Sequence, residues 1–162
     1  MSKMIFLPLV LAAFFLASAF TAEQTPLTHT NPAKLSKPNG YSHMVTAPPG
    51  QTLYISGQVA LDESGKVIGA GDMQAQAKQV FENLRNALNA AGADFSNVVR
   101  LNYYITDVSQ VQKVRDVRNQ FIQSDFPAST LVEVKALVRP EFMIEVDAIA
   151  VIPARSVPAT SR

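Results

Sequence analysis

The chain has no cysteine, no tryptophan, two histidines and seven glycines among 162 residues. Without cysteine there are no disulfides, no thiolate metal sites, no cysteine nucleophile and no lipid attachment through a leader cysteine. His29 and His43 leave almost no material for a histidine metal site or a Ser-His-Asp triad. Gly57, Gly65 and Gly69 lack the spacing of a dinucleotide-binding loop. An excess of one charge is missing too. Lys and Arg total 14 against 13 Asp and Glu, a net +1. A protein that grips phosphate backbones needs a clustered basic face, so no nucleic-acid partner is expected. An apolar share of 48% excludes a disordered chain.

What is present is unevenly spread. Fifteen of the first nineteen residues are apolar. Lys3 precedes an apolar run from Ile5 to Leu16, and Ala17-Ser18-Ala19 supplies small residues. Basic start, short apolar run and small-residue end predict a signal peptide over 1–19, cut before Phe20, with Ala22 as the poorer alternative. The run is short for a membrane span and contains Pro8. Removing Lys3, the only charged residue of the leader, takes the net charge from +1 to zero. The expectation is a soluble exported protein, periplasmic or secreted, with no membrane contact once the leader is gone. Residues 20–40 are expected to be linker leading into the fold, 41–153 the domain, and 154–162 a flexible tail.

Within the domain, Tyr41–Thr46 and Leu53–Val59 are predicted strands of a hairpin around Pro48-Pro49-Gly50. Asp62–Gly65 predicts a turn and Lys66–Ile68 a short third strand. Ala77, Val80, Phe81, Leu84, Leu88 and Ala91 recur at helical steps, with Asp72 as N-cap and Gly92 at the C-terminal end. Val98–Thr106 alternates as a strand. Ser109 can cap a second helix with Val111, Val114, Val117/Arg118 and Phe121 on one side, ending at Pro127. Thr130–Leu137 and Phe142–Ile152 read as two strands joined by a turn at Val138–Glu141. The order predicts an α+β domain, a mixed and mostly antiparallel sheet with two helices on one face. Apolar residues on both sides of the strands predict that the bare face meets another subunit.

Glu133, Glu145 and Asp147 interrupt apolar strands, and Glu145 and Asp147 share a face. Such carboxylates need partners or water: either a solvated face, paired with Lys135 or Arg139 across the hairpin, or a site. His43 reads as an ordinary strand histidine. These residues alone name no reaction.

Several stretches, in order, are similar to those of one family. They are Tyr54–Val59 (YISGQV), Gly71-Asp72, Asn89–Gly92, Val98–Arg100, Tyr104–Asp107, Phe126–Ala128, Val132–Val134 and Ile144–Ala150 (IEVDAIA). From Gly40 to Ile152 the chain resembles the RidA (YjgF/YER057c/UK114) family. The resemblance implies a chorismate-mutase-like fold and a homotrimer with clefts between subunits. It implies hydrolysis of enamines and imines, such as 2-iminobutanoate and 2-iminopropanoate, to 2-keto acids and ammonia, with no cofactor and no metal. Carried over residue by residue, Glu145 matches the water-positioning glutamate. Tyr41, Ser56 and Gly57 match cleft residues. Arg115 falls at a helix position usually held by asparagine, and Leu131 at one often held by cysteine. Ser129 stands where deaminating members carry an arginine after Phe-Pro-Ala, which clamps the substrate carboxylate. A serine lacks the charge and planar fork of that contact, a loss on the order of a hundredfold in binding. Arg115 is the best replacement. Arg100 lies mid-strand, and Arg139 sits at the far turn. Two readings follow: an imine or enamine deaminase, or related small-molecule hydrolase, with a diverged cleft; or a non-catalytic trimer that binds a small carboxylate-like ligand or acts as a chaperone-like surface.

Overall fold

The plainest alternation in the chain lies near its C-terminal end. Ile144, Val146, Ala148 and Ala150 are buried, while Glu145, Asp147 and Ile149 between them are half-buried. That period of two suits a strand with one face on a core. The computed structural model describes residues 25–154. The expected leader, the first part of the linker and the tail beyond Ala154 lie outside the described residues. Among the described residues, six strands and two α-helices follow in chain order: β1 (Thr28–Thr30), β2 (Met44–Thr46), β3 (Gly50–Gln58), α1 (Met73–Ala90), β4 (Val98–Ile105), α2 (Val111–Phe121), β5 (Ala128–Glu133) and β6 (Ile144–Pro153).

The main sheet runs β3-β6-β4-β5. β6 is antiparallel to β3 and β4, and β5 is parallel to β4. The α+β class and the mixed, mostly antiparallel sheet are as expected. α1 forms for the reasons its spacing suggests. Asp72 accepts from the backbone N–H of Gln74 and Ala75 (2.9 and 3.2 Å), and Gly92 at φ +73° ends the helix. Met73, Ala77, Val80, Phe81, Leu84 and Leu88 face the core. Phe81 stacks on Phe121 of α2 with centroids 5.3 Å apart, which joins the two helices above the sheet. Gln76 is polar yet fully buried on the same face. It donates to the Glu141 carbonyl (2.7 Å) and accepts from the Met143 N–H (2.8 Å). One side chain thereby pins the connection between β5 and β6.

Several expectations are corrected. The Tyr41–Thr46 segment contributes β2, which pairs with β1, not with β3. β1 lies inside the stretch read as linker, because three residues are too few to show a period. Gly50 instead starts a pairing of β3 with Pro153 of β6, so the Pro48-Pro49-Gly50 turn closes no hairpin. Lys66–Ile68 makes one bridge, Leu61 to Val67, and no strand. Asp62 draws the N–H groups of Ser64 and Lys66 onto its carboxylate (2.9 and 3.0 Å), which makes the turn too tight for a ladder. Asp107 rather than Ser109 leads into the second helix. It accepts from Ser109 N–H (3.0 Å) and caps a 3-10 turn, Val108–Gln110, ahead of α2. α2 ends at Phe121, well before Pro127. β5 and β6 are not a hairpin, because β4 lies between them and β5 returns parallel to β4 through α2.

Candidate functional site

Strand alternation sorts the candidate residues onto two sides of the sheet. On β5, Ser129 and Leu131 register with Leu101 and Tyr103 of β4 and share the helix side. There they meet α2 and the segment 39–41 around a cavity of about 180 Å³. Four of the seven candidates, Tyr41, Arg115, Ser129 and Leu131, line it. Backbone bonds hold the walls together, since Ser42 N–H donates to the Pro127 carbonyl (3.1 Å) at the start of β5. Ser129 Oγ also donates to that carbonyl (3.2 Å), which uses its only proton.

Two further residues that line this cavity are not among the sequence candidates for the site: Arg118 and Tyr103. Arg118 is only 7% exposed. Its Nη1 donates to the Gly40 carbonyl (2.8 Å), its Nη2 and Nε donate to Asn119 Oδ1 (2.9 and 3.3 Å), and its guanidinium lies over the Phe126 ring at 4.8 Å. No carboxylate pairs with it among the described residues. Burial lowers its pKa below the ordinary arginine value; the adjacent Tyr103 opposes this, and the like charge of Arg115 adds to it. Tyr103 is 3% exposed, and its buried hydroxyl has no hydrogen-bond partner among the described residues. Burial pushes its phenol well above the usual value against the opposing pull of Arg118. One signal for Arg118 was present. It falls on the apolar stripe Val111, Val114, Val117, Phe121, where an exposed arginine does not belong. Tyr103 gave no such signal, because its place in the strand alternation is that of any core aromatic.

The other three candidates, Ser56, Gly57 and Glu145, lie on β3 and β6 away from this cavity. Glu145 registers with Tyr104 and Asp147 with Asn102, all on the face away from the helices. The β3–β6 register shifts between Ile55 and Gln58, at Ser56 and Gly57. A Cβ on Gly57 would run into the Glu145 carboxylate, so glycine is what lets this carboxylate lie against the strand. Asp147 accepts from Asn102 Nδ2 (2.8 Å), and its charge raises the Tyr104 phenol above its ordinary value. The same face exposes Tyr54 (81%) and Val132 (40%). Within one chain the sheet therefore separates Glu145 from the Arg118 cavity.

The remaining charged residues sort out simply. Glu133 accepts from the Val108 N–H (2.6 Å) and fastens the 3-10 turn, without Lys135. Arg139 pairs with Glu141 (3.3 Å) in the β5–β6 connection. Arg100 bonds Asn102 and Thr130 on the open face, away from the cavity. His43 holds Asn31 and the Ser36 carbonyl, an ordinary structural role.

The family model described as Endoribonuclease L-PSP matches residues 32–152. Protein DfrA of Myxococcus xanthus is 40% identical over 111 residues, covering 68% of this chain and 84% of its own. The human 2-iminobutanoate/2-iminopropanoate deaminase is 36% identical over 101 residues, 62% of this chain and 73% of its own. Among solved structures, the Rid family protein YyfB of Yersinia pestis superposes with a TM-score of 0.74 at 33% identity, covering 79% of this chain and all of its own. With its sequence motifs, its strand order and a family match over most of its length in agreement, the chain belongs to the RidA (YjgF/YER057c/UK114) family.

Proposed function

We propose that the protein hydrolyses small 2-imino acids, or the enamines that tautomerise to them, to 2-oxo acids and ammonia. We propose further that it works as a homotrimer in which one subunit supplies the Glu145 side and its neighbour the Arg118 cavity. The carrying observation is the split site: a glycine-cradled carboxylate on one face of the sheet and a cation-lined cavity on the other. One chain cannot join them, whereas a neighbour seated on the open face brings them together. The exposed Tyr54 and Val132 on that face support such a contact. The deaminase relatives support the reaction.

The chemistry is redox-neutral. Water adds its oxygen to the C=N carbon, the nitrogen takes a proton, and the tetrahedral intermediate expels ammonia as the C=O bond forms. Glu145 accepts a hydrogen bond from the water, receives its proton and hands it to the nitrogen. It then takes the hydroxyl proton of the intermediate and passes it to the departing nitrogen, which leaves as ammonia, and Glu145 returns to a carboxylate. Tyr41 and Leu131 shape the cavity around the substrate. The near-neutral charge supports a small-molecule substrate over the polyanion that the family description suggests. The reading includes export: the leader over 1–19 is removed and the trimer is free in the periplasm or outside the cell.

A second reading, ligand binding without turnover, is favoured by Ser129. Its proton is spent on Pro127, so it does not replace a carboxylate clamp. The test generates 2-iminobutanoate in situ and follows the 2-oxo acid. Turnover above background that falls at least tenfold in Glu145→Gln supports the enzyme; no turnover by the wild type supports the binding module. Light scattering reads the trimer directly, and a monomer mass refutes it. Mass spectrometry of the secreted protein reads the leader: a mature N-terminus at Phe20 or Glu23 supports export.

A further inference from the structure

Arg118 is an oddity as a purely structural residue. A buried guanidinium without a carboxylate is costly, and folded proteins rarely keep one. Of its five N–H donors, the bonds to Gly40 and Asn119 use three, leaving one on each terminal nitrogen. Beside it, the Tyr103 hydroxyl is buried and unpartnered among the described residues, which carries its own penalty. Both groups line the same cavity, and Arg115 adds positive charge at its wall. An unpaired cation and an orphan hydroxyl around one small void are the two halves of a receptor for an anion. A carboxylate answers both, accepting N–H bonds from the fork on its two oxygens and a further hydrogen bond from the phenol.

We propose that Arg118 and Tyr103 form the carboxylate receptor of this cavity. The anchor in this chain is thus carried by α2 and β4, leaving position 129 a bystander. The volume limits the ligand. A cavity of about 150 Å³ takes a six-atom ring such as benzene. The 180 Å³ here therefore suits a monocarboxylate of about six or seven heavy atoms. Three- and four-carbon 2-imino and 2-oxo acids fit that size. The assignment of the acid as a 2-imino or 2-oxo compound rests on the proposed deamination; the receptor itself rests on the geometry.

The test is binding, separate from turnover. The full trimer is titrated with 2-oxobutanoate by calorimetry, with 2-butanone as the uncharged control. Wild type binds the acid in the roughly millimolar range and the ketone not at all at about 50 mM. Arg118→Gln weakens the acid at least tenfold, and Arg118→Lys weakens it less, since charge remains but the fork is lost. Tyr103→Phe weakens it about threefold to tenfold. Ser129→Ala changes it less than twofold. Equal affinity in wild type, Arg118→Gln and Tyr103→Phe overturns the receptor, as does equal binding of acid and ketone. Should Arg118→Gln fail to fold, Tyr103→Phe decides, because it removes only a hydroxyl whose one polar neighbour is the Arg118 guanidinium itself. Failure of the deaminase reading looks different: the acid binds through Arg118 while 2-iminobutanoate is not consumed faster than background.

Discussion

Replacing Gln76 by Met tests how the fold carries Glu145 to its place. The two side chains have similar volume, so the packing of α1 is kept. What is lost is both hydrogen bonds, 2.7 Å to the Glu141 carbonyl and 2.8 Å from the Met143 N–H. A buried polar group left unpaired costs about 1–3 kcal/mol. Glu141 is exposed, and its carbonyl can turn to water, so it contributes the lower end of that range. The Met143 N–H is the more enclosed of the two and contributes more. Together they predict a loss of about 2–4 kcal/mol. With a urea m-value of about 2 kcal/mol/M, the midpoint falls by about 1–2 M. The measurement is urea unfolding at fixed protein concentration, since assembly adds to apparent stability. Met143 stands two residues before Glu145, so turnover of 2-iminobutanoate drops as well, ahead of global unfolding. A midpoint shift below about 0.3 M would falsify the clamp: the connection would then be held by something other than this side chain.

Three other expectations follow from single contacts. Gly57→Ala pushes a methyl group into the Glu145 carboxylate, which yields as the end of a side chain; circular dichroism and Tm stay near wild type while kcat falls on the order of a hundredfold, and unchanged turnover refutes the cradle. Asp107 is held below the ordinary carboxylate value, first by the Ser109 hydroxyl and then by Gln110. Its native pKa is thus the lower one, so the stability it adds is present above about pH 4 and is lost as pH falls through that region. Tm measured from about pH 6 to 3 should drop less steeply in Asp107→Asn. Ser129→Arg sets a second guanidinium beside Arg118, so it lowers Tm and does not improve 2-oxobutanoate binding; in an Arg118→Gln background the same change restores binding, read by calorimetry.

The elements with long periods were legible in the sequence. α1 runs five turns with Asp72 and Gly92 at its ends, and β4 and β6 alternate over most of their length. What failed was pairing. Nothing local in Thr130–Glu133 tells whether the strand meets β6 antiparallel or β4 parallel, and adjacency in sequence favoured the wrong neighbour. β1 and β2 are too short to show a period, and adjacency in sequence points β2 to β3 although it pairs with β1. The motif residues split the same way. The close approach of Gly57 and Glu145, 88 positions apart, has no local signal in the sequence and is visible only once β3 and β6 are paired. Arg115, the replacement arginine expected from the sequence, does reach the cavity wall. One turn further along, Arg118 is the arginine that the core encloses, and three-residue spacing within an apolar stripe was the only hint of it.

The hydrogen bond from Arg118 to the Gly40 carbonyl spans 78 positions of sequence and ties one wall of the cavity to another. The side chain that would receive an acid is therefore also a fastener of the segment bearing Tyr41. Ligand and fastening then share one free energy. An occupant at a hundred times its Kd adds about 2.7 kcal/mol against any opening that empties the cavity. The amide of Ser42, bonded to Pro127, should exchange its hydrogen about a hundredfold more slowly when the cavity is full, provided that exchange requires such an opening. By reciprocity, a change that leaves residues 39–41 open part of the time weakens the acid in proportion to the closed fraction lost, although it touches no atom of it.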